Sequence, residues 1–149
     1  MNKIYIASDH AGYKAKNKLI AFITLELKID VVDCGPHHSS RVDYPDFADN
    51  AVEHMLKDPE SFGLLICGSG QGMAMRANKF KSIRAALCLN NKSATLARKH
   101  NHANVLCLGS RLRPMKKLKE ITETFFTTGE DGGRHLQRVI KISKSTGDK

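Results

Sequence analysis

Gly63-Leu64-Leu65-Ile66-Cys67-Gly68-Ser69-Gly70-Gln71-Gly72 decides the reading of this chain. Its first half is a continuous apolar run, the pattern of a strand buried on both faces of a parallel sheet. Its second half alternates glycine with other residues. Glycines there permit backbone angles that other residues resist and let main-chain N–H groups approach an oxyanion. Met73 to Lys79 then reads as a short helix, whose positive N-terminal end favours negative charge beside it, a thiolate at Cys67 included. Two better-known loops are excluded. A dinucleotide fingerprint would need glycine where Met73 stands, and a P-loop would end in Gly-Lys-Ser/Thr. A tight strand–helix turn beside an inert buried cysteine is the plainer reading of the same residues.

Outward from this loop, two periodicities alternate along the chain. Lys3 to Ala7 reads as a strand, broken by Ser8 to Gly12. Leu19, Ile20, Ile23 and Leu27 recur at helical spacing, with Lys14, Lys16 and Lys18 as a wet face. Asp30 to Cys34 is a second strand, stopped by Gly35-Pro36, and Pro45 suits the first turn of a helix running to about Leu56. Arg84 to Leu89 and Asn104 to Leu108 give the fourth and fifth strands. Helices are expected from Lys92 to about His100, from Pro114 to about Phe126, and from about Arg134 to Lys144. The alternation predicts a doubly wound, five-stranded parallel α/β sheet, a Rossmann-like sandwich, with a C-terminal helix. Ligands of such sheets sit outside the carboxyl ends of the strands. That rule selects Asp9 and His10, Gly35 to Pro45, Cys67 to Gly72, Asn90 and Asn91, and Gly109 to Arg111.

The 149 residues fit one domain, 1–149, with a tail expected to fray from about residue 145. No apolar run approaches the roughly 20 residues that span a bilayer, and Met1 to Asp9 is too poor in apolar residues for a signal peptide. A cytoplasmic protein is expected. The four cysteines, Cys34, Cys67, Cys88 and Cys107, include no Cys-x-x-Cys pair, which argues against a disulfide framework and a zinc site. A net charge of +9 suits nucleic acid, an anionic membrane or a phosphorylated substrate alike. Aromatic residues make up only 6% and tryptophan is absent, so no stacking platform for nucleic acid is evident. Arg134 and Arg138, four apart, share a helix face and could clamp a phosphate, or simply be solvated.

Taken together, Ser8-Asp9-His10-Ala11-Gly12, Val42-Asp43-Tyr44-Pro45, Cys67 to Gly72, Ala77-Asn78-Lys79, Arg98-Lys99-His100-Asn101, Gly109-Ser110-Arg111 and Gly132-Gly133-Arg134-His135 resemble the type B ribose-5-phosphate isomerases of the ribose/galactose isomerase family. The segments occur in family order, and the resemblance covers about residues 3 to 144. It implies interconversion of ribose 5-phosphate and ribulose 5-phosphate through an enediolate, with neither metal nor other cofactor. On this carry-over Cys67 is the base, and His100 assists ring opening with Asp9 or a neighbouring polar group. The N–H groups of Gly68, Ser69, Gly70, Gln71 and Gly72 hold the oxyanion, with the Ser69 hydroxyl as partner. His10, Arg134 and Arg138 bind the phosphate, and Asn101 and Arg111 contact the sugar phosphate. The resemblance further implies a homodimer or tetramer with active sites shared between subunits. Another branch of the family lacks the cysteine and carries glutamate just after the last glycine of the loop. Met73 occupies that position here and cannot take a proton, which places the sequence with the cysteine branch and away from galactose-6-phosphate isomerase. A non-catalytic phosphate-binding module would explain the glycines and arginines, but would give Cys67 and His100 no joint task.

Overall fold

The computed structural model describes residues 3–147; Met1 and Asn2 of the N-terminal reading, and Asp148 and Lys149 of the expected frayed tail, lie outside the described residues. The elements alternate as expected: β1 (Lys3–Ser8), α1 (Tyr13–Phe22), β2 (Asp30–Asp33), α2 (Tyr44–Leu56), β3 (Phe62–Cys67), α3 (Gln71–Ala77), β4 (Ala85–Leu87), α4 (Asn91–Asn101), β5 (Val105–Gly109), α5 (Met115–Thr127) and α6 (Arg134–Ile142). A π-helical turn, Ile23–Leu27, extends α1 and ends at Lys28, which adopts φ 58°. Among the described residues no helix is long and apolar enough to cross a membrane.

The five strands are parallel, in the order β2-β1-β3-β5-β4. The period-2 pattern of β3 explains its two covered faces. Leu64 and Ile66 pack with Leu19 and Ile23 of the α1 region, Ala94 and Ala97 of α4, and Leu118, Ile121 and Phe125 of α5. Leu65 and Cys67 point the other way, toward Ala48, Val52 and Met55 of α2 and Met73 and Ala77 of α3. The sheet is thus wound on both sides.

Two details differ from the sequence reading. The fourth strand shrinks to Ala85–Leu87 and lies at the sheet edge, while β5, buried throughout, returns between it and β3. Leu89, read as part of that strand, is exposed. Lys16 is not on a wet face: it is fully buried, and its Nζ donates to Asp33 at 2.7 and 2.9 Å and to the Pro36 carbonyl at 2.8 Å. A buried ammonium is tolerable only when paired and hydrogen-bonded, as here. Asp33 also accepts from the Gly35 N–H at 2.9 Å, so the pair fastens α1 to the turn after β2.

From β1 the chain moves outward to β2, and from β3 it moves the other way. The switch point therefore lies between the carboxyl ends of β1 and β3, where ligands of open α/β sheets bind. The Asp9 N–H donates to the Ile66 carbonyl at 3.1 Å, bringing Asp9 beside Cys67 at that point.

Candidate active site

Cys67 is the last residue of β3 and only 5% exposed. The loop after it turns back on the sulfur, and the Gly70 N–H donates to Cys67 Sγ at 3.1 Å. That turn needs glycine: Gly70 has φ +76°, and a Cβ there would lie 2.7 Å from Leu87 Cδ1 and 2.8 Å from the Leu108 carbonyl carbon. Ser110 N–H donates to the Cys67 carbonyl at 2.9 Å, and Arg111 N–H to the Gly68 carbonyl at 3.0 Å. These two bonds fix the loop against the end of β5.

A cleft of about 500 Å³ opens over this loop. Six sequence-predicted site residues line it: Asp9, Cys67, Gly68, Ser69, Gly72 and Arg111. One carboxylate oxygen of the buried Asp9 accepts from the Gly12 N–H at 2.9 Å, which orients it at the start of α1. His10 is held by the Val42 N–H, which donates to its Nδ1 at 3.3 Å and leaves Nε2 for other partners. Gly70 lies buried behind the cleft, and Gln71 is exposed at the start of α3.

Two further residues line the cleft: Leu112, which sequence reasoning passed over, and Tyr44, which it selected only as part of Gly35 to Pro45 and gave no role. The Tyr44 ring lies so close to Gly72 that a Cβ at that glycine would come within 2.4 Å of it. The signal was present, because Tyr44 belongs to the Val42–Pro45 segment that carries part of the resemblance.

The remaining thiols are different. Burial pushes Cys34 and Cys88 up to about 11. Cys107 is wholly buried, and desolvation, reinforced by Cys67 and Cys88, holds its thiol well above the ordinary value. These three stay neutral at ordinary pH. Among the cysteines, Cys67 alone lines the cleft.

The other predicted residues form a second cluster. His100 and Asn101 end α4, which runs back to the amino end of β5, so they lie at the opposite edge of the sheet from Cys67. A five-residue strand spans on the order of 13 Å, and one chain does not bring the two groups together. Asn101 lines a separate cavity of about 700 Å³ with Arg84 and Ala103, at the amino ends of β4 and β5. Arg134 and Arg138 are exposed on α6, which packs on α4, and neither has an ion-pair partner among the described residues.

This second cluster contains two further residues that sequence reasoning left without a role. The His135 ring stacks on His100 with centroids 4.0 Å apart and planes 3° apart. Asp131 Oδ2 lies 3.9 Å from His100 Nε2. Desolvation, then the neighbouring His100 and Arg134, pushes the His135 imidazole below its ordinary value. Their loop is anchored by Arg98, whose buried guanidinium donates to the carbonyls of Ala103 at 2.7 Å and Thr128 at 3.2 Å, and to Glu130 at 3.2 Å. The Asp131 N–H donates to the Lys99 carbonyl at 3.0 Å, and His102 Nε2 to the Asp131 carbonyl at 2.6 Å.

Comparison with known proteins places this geometry among relatives. A family model described as Ribose/Galactose Isomerase matches residues 4–142. A probable ribose-5-phosphate isomerase B of Mycoplasma pneumoniae is 45% identical over 140 residues, covering 93% of this chain and 91% of the relative. The ribose-5-phosphate isomerase B of Escherichia coli is 38% identical over 143 residues, covering 96% and 95%. The crystal structure of a ribose 5-phosphate isomerase from Thermotoga maritima superposes with a TM-score of 0.92 at 44% identity, covering 97% of this chain and 99% of that one.

Proposed function

We propose a specific reaction from one premise: the chain belongs to the ribose/galactose isomerase family and is an isomerase. The reaction is the interconversion of ribose 5-phosphate and ribulose 5-phosphate. The observation that carries it is Cys67 at the switch point, lining the cleft with the Gly70 N–H aimed at its sulfur. Sulfur so placed can act as a base, and a base can take a proton from carbon.

In the aldose-to-ketose direction His100 moves a proton between the ring oxygen and the anomeric hydroxyl, so the furanose opens. Cys67 Sγ then removes the proton on C2. The electrons move into the C1–C2 bond and the carbonyl oxygen becomes an oxyanion, giving the enediolate. Main-chain N–H groups of the Gly68–Gly72 loop and the Ser69 hydroxyl hold that charge; one such preorganised donor is worth about 2.7–4 kcal/mol in comparable sites. A proton passes from the C2 hydroxyl to the C1 oxygen, and Cys67 returns the carbon-bound proton to C1, which leaves the carbonyl at C2 and gives the ketose. Asp9 and Arg111 in the cleft hold the sugar phosphate, and His10, Arg134 and Arg138 hold the phosphate, with Asn101 on the sugar.

The two clusters stand at opposite edges of one sheet, so the reaction is proposed to use a homodimer or tetramer in which Cys67 of one subunit meets His100, Arg134 and Arg138 of another. A closed two-fold pairing makes two such sites at once. The proposed setting is the cytoplasm, where thiols stay reduced; all four cysteines are free. Adding ribose 5-phosphate to metal-free enzyme and following ribulose 5-phosphate is the test. Ribulose 5-phosphate is the expected product, and no turnover would sink the proposal.

A further inference from the structure

We propose that His100, Asp131 and His135 form a binding site for a divalent first-row metal ion of the Zn²⁺ type, and that the bound ion inhibits the enzyme. One ligand atom from each residue lies within 4.8 Å of the others. Two imidazoles and a carboxylate suit zinc, whereas magnesium and calcium prefer all-oxygen sets. Ligands about 2.1 Å from a tetrahedral ion stand about 3.4 Å apart, so the group needs to contract by at most about 1.4 Å.

The side chains have room for that contraction. His100 and Asp131 are 41% and 46% exposed, and rotation about the ring torsions fans the stacked imidazoles toward a common point. The backbone beneath them is held more firmly. Arg98 is buried under the loop with its guanidinium 4.8 Å from the Phe62 ring centre, and Asp131 is tied to Lys99 and His102 through its own main chain. Three protein ligands leave the fourth position to water, the arrangement of an exchangeable rather than a structural zinc site.

The site itself stands on this geometry alone; the inhibition rests on the ring-opening role proposed for His100. An imidazole whose nitrogen lone pair binds a metal cannot shuttle a proton through that nitrogen. The ion would therefore lower turnover without being a cofactor.

Calorimetric titration of the purified enzyme with Zn²⁺, together with visible absorption on titration with Co²⁺, decides the matter. One ion per chain is expected, with a Co²⁺ spectrum lacking the charge-transfer band of a thiolate ligand. Asp131→Asn, which keeps the side-chain shape, and His135→Ala should each weaken Zn²⁺ binding by at least the roughly 10–100-fold typical of lost supporting contacts. Cys67→Ser should leave it unchanged. Absence of binding, or binding lost in Cys67→Ser and kept in His135→Ala, would overturn the site. In turnover assays, Zn²⁺ inhibition reversed by chelator and shifted to higher concentration in Asp131→Asn supports the inhibitory role. Full activity with the ion bound would overturn that role and leave the site standing. An enzyme inactive on ribose 5-phosphate would contradict the substrate reading, while the calorimetry would still decide the site.

Discussion

The two ends of the sheet carry different halves of a chemistry. At the carboxyl ends of β1 and β3 lies a cleft lined by Cys67, Asp9, the glycine loop and Arg111. At the amino ends of β4 and β5, the end of α4 and the start of α6 carry two stacked imidazoles and two exposed arginines. The first holds the thiol proposed as the base, with His10 and Arg111 as its positively chargeable groups. The second has exposed positive charge on Arg134 and Arg138, but no thiol. The difference teaches that one chain keeps the residues of the proposed reaction in two separate places, which is why that proposal pairs subunits.

The sharpest way to break this contrast is to remove the thiol. Cys67→Ser should lower kcat by about 10²–10⁴, the usual weight of a positioned base, with KM little changed. Cys88→Ala, which deletes a thiol held neutral by burial, should leave turnover intact and lower stability instead. Equal losses in the two variants would erase the distinction between the cleft cysteine and the core cysteine.

At the other end, Arg138→Ala should raise KM by about 10–100-fold, the worth of a hydrogen bond to a charged group, with kcat less affected. An unchanged KM would return Arg138 to the status of a solvated-face residue. Gly70→Ala tests the loop's geometry. The substitution meets Leu87 and the Leu108 backbone and forces alanine into φ +76°. It should cost roughly 1–3 kcal/mol in chemical denaturation and reduce turnover as well, because the N–H aimed at the sulfur moves.

The smallest effect is alkaline. Burial raises Cys34 and Cys88 from the ordinary 9.0 to about 11 in the folded chain. A raised folded value means that their contribution to stability is whole below pH 9 and is lost as pH rises toward 11. Denaturation midpoints should fall through that window, and less so in Cys88→Ala. A midpoint independent of pH there would contradict the burial of these thiols.

Much of this was legible before any coordinates, for a physical reason. A strand buried on both faces must be apolar throughout, so Gly63 to Cys67 announced a central strand, and the carboxyl-end rule then pointed to the loop after it. Strand order was not legible, because periodicity reports which face is buried and not which neighbour covers the edge; hence β4 was read as longer than it is. Lys16 was misplaced because lysine at a polar-looking position says nothing of Asp33, which reaches it from another element. Asp131 and His135 were left without a role for a similar reason. Their approach to His100 depends on a loop fastened by Arg98 and His102, two residues whose burial only the fold reveals. The separation of His100 from Cys67 follows from α4 running back along the sheet, a placement that the spacing of residues along the chain does not report.

The proposed sharing of one site between subunits is the central claim, and subunit mixing tests it most directly. Cys67→Ser and His100→Ala enzymes, each inactive alone, are unfolded together, refolded as a one-to-one mixture and assayed with ribose 5-phosphate. In a two-fold dimer half of the molecules are then mixed, and each has one intact site of two, so activity should return to about one quarter of the unmodified enzyme's. A mixture that forms such dimers yet stays inactive would show that Cys67 and His100 do not serve the same site across subunits.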